Sequence, residues 1–225
     1  AFLAGDDLML PGKIRAQVDW FEADASRTLC AHDVEHFDSD SGKRIKLHSS
    51  ISPLRSGHGV AEYLRTHYFS ATSSIMVRST AIPKRGFDER IRVHSDWKFA
   101  TECVVNGGGF GYVPGLLGRY RRHPQNATQR HAALRWEERH VGLALLEAEY
   151  PEYVGVWERA RAYAHYQRAV EFVQQGLGAE ARLAIAAAMR HDPAVSFKLP
   201  LWWAASFAPR SMLPRRMRGA APSVS

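Results

Sequence analysis

The chain predicts an α/β domain followed by an all-helical region, and three observations carry that division. A short apolar run, Phe2-Leu3-Ala4, leads into Gly5-Asp6-Asp7 and then Pro11, the pattern of a strand that ends on carboxylates before a helix opens. Extended apolar segments and helical patterns keep alternating as far as residue 130, as an α/β layer arrangement requires. Beyond it, Ala-, Arg- and Glu-rich segments at 131–149, 152–175 and 178–190 read as helices without an intervening strand. The expected parts are therefore a sheet domain over 1–130, a helical extension over 131–195 and a basic aromatic tail over 196–225.

Taken in order, Pro11 suits a first helical turn, where its missing N–H costs nothing. Ile14, Val18 and Phe21 then repeat at helical spacing, so 11–23 predicts an amphipathic helix. Thr28 to Ala31 predicts a strand. Asp38-Ser39-Asp40-Ser41-Gly42 is a polar turn with a second extended piece after it, as in a hairpin. Residues 59–68 predict a helix beside the site, and Ser73 to Arg78 a buried strand. Ser95 is a good N-cap for a helix over 96–106, which places Asp96 at the positive end of the helix dipole, where negative charge is favoured. Asn106 and the glycines after it end that helix, and Gly111 to Pro114 predicts a short strand. Gly176 and Gly178 separate the last two helices, whose pairing resembles a single tetratricopeptide-like hairpin.

Composition narrows the function classes. A hydrophobic content of 45% supports a packed core, and a net charge of +7 with a pI near 9.6 favours anionic partners. No nucleic-acid recognition motif accompanies that charge, so nucleic acid is not among the expected partners. Cys30 and Cys103 lack metal-site spacing and read as buried thiols of a reducing compartment. Asn126-Ala127-Thr128 is formally a glycosylation acceptor and reads as a chance match. The longest nearly apolar run, Leu199 to Pro209, is too short to span a bilayer as a helix.

The chemistry starts at Asp6 and Asp7. Adjacent carboxylates repel, so a strand tip holds them mainly when a cation or a proton relieves the repulsion; the alternative is a solvated acidic turn. Further signals follow at fixed order: Ser73-Ser74-Ile75-Met76-Val77-Arg78, then Gly86-Phe87-Asp88-Glu89-Arg90-Ile91, then His94-Ser95-Asp96-Trp97, then Gly109-Phe110-Gly111-Tyr112-Val113-Pro114, and finally Arg119-Tyr120-Arg121-Arg122-His123-Pro124. This series, over residues 1–128, resembles the second half of the family 2 glycosyltransferases, inverting enzymes with a GT-A fold. Ser95 stands where that family usually has Glu, and Gly5 precedes the two aspartates where Asp-x-Asp-Asp is common.

The resemblance implies an α/β fold that is a partial GT-A domain. In that family the nucleotide-binding βαβ units precede the acidic motif. They are absent here, so the expectation is an N-terminally truncated catalytic domain, inactive by itself. It implies that a sugar moves from a nucleotide-diphosphate donor to a hydroxyl of a glycan or lipid-linked acceptor, in surface polysaccharide or cell-wall glycan synthesis. A Mn²⁺ or Mg²⁺ ion held by Asp7 and Asp6 would neutralise the leaving diphosphate. Asp96 occupies the place of the catalytic aspartate, the base that takes the acceptor's proton. His123 is expected at the metal or the diphosphate, against the alternative of a surface histidine. Alternation sends Arg119 and Arg121 to one face and Arg122 to the other, with an arginine fork suited to diphosphate. Trp97 is a candidate to stack on an acceptor sugar or to pack in the core. Asp33 is expected near the acceptor or at a strand end, and Asp88 at a turn.

The tail interleaves Leu199, Leu201, Trp202, Trp203, Phe207, Met212 and Leu213 with Lys198, Arg210, Arg215, Arg216 and Arg218. Such a segment suits an anionic membrane interface, or docks its tryptophans with a basic end trailing. The expected location is cytoplasmic, peripheral on the inner face of the plasma membrane. The rival function is a non-catalytic interaction protein whose basic helical module binds an anionic surface.

Overall fold

The structure, a computed structural model, describes residues 1–50, 55–66, 71–126, 130–131, 134–214 and 217. It divides into two compact units, Ala1–Glu138 and Arg139–Ser225. The first is mixed α/β and the second, over its described residues, helical. The described residues from 196 onward fall in the second unit.

The first unit is built on two long strands, β2 (Arg27–Asp38) and β6 (Gly109–Arg122), which pair in parallel. On the free edge of β6 lie β1 (Leu8–Met9) and β4 (Gly57–His58), both antiparallel to it. On the free edge of β2 lie β3 (Arg44–Leu47) and β5 (Met76–Val77), likewise antiparallel. Three helices accompany the sheet: α1 (Lys13–Glu22), α2 (Val60–Thr66) and α3 (Ser95–Gly107). The α1 helix lies within the expected 11–23, but Pro11 precedes its N-cap Gly12 and Ile14 of the expected apolar face is exposed; the β2–β3 hairpin matches the expectation. The end expected for α2, residues 67–68, lies outside the described residues.

Several expectations are corrected. The strand expected over 73–78 is a 3-10 turn, Thr72–Ser74, followed by the two-residue β5. Ser95 is not the N-cap of α3: His94 is, and Ser95 opens the helix itself. The strand expected over 111–114 runs for 14 residues. Pro114 has no N–H for a ladder and hid that continuity. Here it sits in an irregularity where Val113 pairs with His32 and Leu116 with Asp33, so the strand passes the proline by skipping a pairing. The glycines before β6 have separate jobs. Gly108 takes φ +90° to end α3, and a Cβ on Gly109 would lie 2.4 Å from Ser26 O, where β6 starts against β2.

Polar residues account for much of the burial. Strand β2 is buried along nearly its whole length, although it carries His32, Asp33, Glu35 and His36. Asp33, Glu35 and His36 each find a tertiary contact, Asp33 with Ser49. Glu35 pairs with Arg44 at 2.7 Å and with Arg119 at 2.9 Å, and His36 stacks on His48 and meets the edge of Tyr120. In α1 the buried positions are Lys13, Gln17 and Phe21, while Ile14 is exposed. Asp88, expected at a turn, is 1% exposed. Arg90 grips it with two nitrogens, and Lys98 of α3 lies 3.3 Å away and pairs in turn with Glu102. The Arg90 hydrogen bonds, the largest influence, hold the Asp88 carboxyl far below the usual range. Cys30 and Cys103 are buried and free, with burial pushing both thiols up to about 12.

The second unit takes up α4 (Leu134–Glu149) from Arg139 onward, followed by α5 (Val154–Gln175), α6 (Gly178–His191) and α7 (Leu199–Ala205). The first three match the expected helical segments. Gly176, at φ +81°, closes α5, and Leu177 N donates to Phe172 O at 2.9 Å to satisfy a last-turn carbonyl. Alanines at 169, 181, 184 and 188 are buried, which lets α5 and α6 approach closely. Trp202 of α7 joins Ala169, Val173, Ile185 and Leu213 in one core. Trp157 is fully buried, with its indole N–H on Tyr150 O at 2.8 Å.

Candidate active site

The acidic motif closes against the end of β6. β1 pairs Leu8 with Arg119, which brings Asp6 and Asp7 alongside Arg121 and His123. The His123 imidazole Nε2 lies 3.0 Å from Asp6 Oδ2, with both side chains partly exposed. Arg121 Nε donates to Asp6 O at 2.7 Å, and Arg121 N donates to Asp7 Oδ1 at 2.9 Å. Three residues expected as metal ligands, Asp6, Asp7 and His123, and one expected at the diphosphate, Arg121, thus gather on one patch.

Asp6 and Asp7 are not equivalent. Asp7 is buried, and Ser73 Oγ donates to its Oδ2 at 2.6 Å. Burial pushes its carboxyl above the ordinary range, opposed by the hydrogen bonds from Ser73 and Arg121. Asp6 is the outward carboxylate. The adjacent charges that the sequence set side by side are thus separated by direction, one into the protein and one toward solvent.

Asp96 lies in the first turn of α3, half-buried. Its Oδ1 accepts from Trp97 N at 2.7 Å and its Oδ2 from Thr72 Oγ1 at 2.8 Å. Thr72 and Ser73 are consecutive, so a single 3-10 turn carries both the Asp96 and the Asp7 contacts. That turn is fastened from below by α1. Lys13 Nζ donates to Ser73 O at 2.5 Å and to Phe2 O at 2.8 Å, and Gln17 Nε2 donates to Ser74 O at 3.0 Å. Burial lowers the Lys13 pKa. The entry to α3 is fastened by Glu138, whose carboxylate accepts from the backbone N–H groups of Arg92, Val93 and His94. Burial pushes that carboxyl up, but the three N–H groups outweigh it and hold it below its ordinary value.

The remaining candidates are placed as follows. Arg119 and Arg121 share a face, both over the Phe37 ring, while Arg122 lies over Tyr120, as strand alternation predicts. Arg119 is engaged by Glu35 and Gly42 O, which leaves Arg121 as the arginine directly at Asp6. Trp97 is 3% exposed and packs as a core residue. Asp33 is buried, with its carboxylate accepting from Val34 N, Ser49 N and Ser49 Oγ, so it anchors the turn at 48–50. Neither presents a free surface for an acceptor.

Sequence reasoning missed Lys13, Gln17, Ser73, Thr72 and Glu138, because a lysine or glutamine on a helix ordinarily signals its solvent face. Asn126 was noticed for another reason. It is buried, its Oδ1 accepts from His123 N at 2.8 Å, and its amide donates to Arg121 O at 3.2 Å. It shapes the loop that carries His123 rather than offering a glycosylation site; Thr128 lies outside the described residues.

The fit to a divalent cation follows from the donor set. Among the described residues no group of three or more His, Cys, Asp or Glu side chains converges as a metal centre. Asp6 and His123 offer one hard oxygen and one imidazole nitrogen, an arrangement that needs further oxygen ligands from a diphosphate. The imidazole makes the set less suited to Mg²⁺, which prefers oxygen ligands alone. The sequence gives no match to any protein-family model and none to the curated proteins.

Proposed function

We propose that the first unit is the acceptor-side portion of an inverting glycosyltransferase of the GT-A type, related to family 2, and that Asp6 and His123 are its cation ligands. The observation that carries the reading is the 3.0 Å approach of His123 to Asp6 beside Arg121, with the Asp96 carboxylate tied into the same scaffold. A bound Mn²⁺ would supply charge neutralisation to the departing diphosphate. Arg121, already oriented by Asp6 O and the Phe37 ring, adds a second positive group there. Asp96 accepts the proton of the acceptor hydroxyl as its oxygen attacks the anomeric carbon, opposite the leaving oxygen. The new glycosidic bond forms as the bond to the diphosphate breaks, in a single displacement that needs one carboxylate base. Asp7 positions the β1 end and Arg121 rather than ligating the ion.

The test is calorimetric titration of the catalytic domain, complete with its nucleotide-binding units, with Mn²⁺ and a nucleoside diphosphate. Asp6→Asn and His123→Ala should each weaken metal-dependent nucleotide binding by about tenfold or more. Wild-type affinity in Asp6→Asn removes the cation assignment and with it this reading.

A further inference from the structure

The end of the second unit carries an exposed apolar and aromatic surface. In α7 the burial follows the helical period: Leu199, Trp202 and Ala205 face the core, while Pro200, Leu201, Trp203 and Ala204 are exposed. Phe197 before the helix is 89% exposed, and Phe207 and Met212 after it are 64% and 77% exposed. Trp203 and Phe207 meet edge to face with ring centres 5.9 Å apart, so this is a contiguous aromatic surface at least there. Cations border it. Arg182 of α6 lies 4.4 Å over the Phe207 ring, and Lys198 lies over Phe197 at 5.6 Å.

We propose that this face, from Phe197 to Met212, inserts into the interface of an anionic lipid bilayer. Charge decides the occupant. From residue 193 to the end the sequence has five basic residues and no acidic one. A second copy of the chain would bring two such surfaces together, at a cost in like-charge repulsion. An anionic headgroup layer answers that charge while the acyl boundary takes up Trp203, Phe207, Phe197 and Leu201. Among the described residues no helix is long and apolar enough to cross a membrane, so the contact lies in the surface. The division of labour between the neighbouring tryptophans follows from the fold: Trp202 holds α7 to the core, and Trp203 is the one that meets lipid. Arg215, Arg216 and Arg218 lie outside the described residues and enter only through the sequence charge.

The experiment is co-sedimentation of the full chain with vesicles of phosphatidylglycerol and phosphatidylcholine, and of phosphatidylcholine alone, across a salt series. Binding should require the anionic lipid and weaken with salt, because surface charges are screened over about 8 Å at physiological ionic strength. The double variant Trp203→Ser/Phe207→Ser should lose about tenfold or more in binding at every salt concentration, with an unchanged helical spectrum, since both rings are exposed. Tryptophan emission should shift to shorter wavelength on vesicle binding in the wild type and lose that shift in Trp203→Ser. Failure to sediment with anionic vesicles at low salt overturns the proposal, as does undiminished binding of the double variant. Lipid-free dimers that the double variant dissolves would assign the face to self-association instead.

Discussion

Asp7 and Asp96 hang from adjacent hydroxyls: Ser73 Oγ donates to Asp7 at 2.6 Å and Thr72 Oγ1 to Asp96 at 2.8 Å. The two carboxylates lie far apart in the sequence, one before β1 and one at the start of α3. A two-residue stretch of a 3-10 turn sets both, so displacement of that turn moves both together.

In the proposed reaction Asp96 is the proton acceptor, and Asp96→Asn keeps its shape while removing that capacity. Turnover should fall by about two to four orders of magnitude, the usual scale for a general base. Nucleotide binding should stay close to wild type. Transferase assays on the catalytic domain complete with its nucleotide-binding units, beside calorimetry, separate the two quantities, and wild-type turnover in the variant would leave Asp96 as a helix-start residue alone.

Lys13 touches neither cation nor acceptor in the proposal, yet it binds the carbonyls of Phe2 and Ser73 that flank the acidic motif and the shared turn. Lys13→Met preserves length and leaves those carbonyls without their donor. Unfolding free energy should drop by about 1–3 kcal/mol per buried group left unsatisfied. Mn²⁺-dependent nucleotide binding should weaken by about tenfold as the turn loosens. Denaturant titration and calorimetry on the same variant check both. Lost stability with intact binding would confine Lys13 to the fold.

The second unit should be acid-sensitive. His140, His165 and His191 meet from three helices, His140 tilted against His165 with ring centres 4.4 Å apart and His191 stacked on it at 5.6 Å, and Glu158 Oε2 lies 2.7 Å from His191 Nδ1. Burial, with His140, His191 and Arg190 adding to it, pushes His165 down to about 4. Burial also lowers His140, with His191, Arg161 and Arg139 acting in the same direction. The folded state therefore keeps His165 neutral where the unfolded chain takes up a proton, near pH 6.5. Stability is fully present above that pH and falls as pH drops from 6.5 toward 4. Thermal melts across this window should show a smaller loss in His165→Gln than in the wild type. Identical losses would place the sensitivity elsewhere, His32 and His36 being the other groups that burial pushes to about 4.

Local chemistry made some elements legible. Pro11 and the spacing that follows it located α1, the Asp38–Gly42 turn located the β2–β3 hairpin, and the glycines at 107–109 located the end of α3. The long Ala-rich periodicities marked α4 to α6 to within a few residues. Pro114 looks like a terminator of β6, and only pairing with β2 carries the strand past it. The mostly polar second half of β2 likewise hides its length.

What the sequence determined by itself is the order of elements and the residue types available for chemistry: two adjacent aspartates, an aspartate at a helix start and a histidine after an arginine-rich strand. Tertiary structure alone decided their roles. Asp6 faces outward to His123 while Asp7 turns inward to Ser73, and Trp202 enters the core while Trp203 stays exposed. Neighbours of the same type look alike in a sequence. They are told apart by which partner, far along the chain, satisfies a buried carboxylate or covers an apolar ring, and such partners come from strand register and helix facing rather than from local propensity.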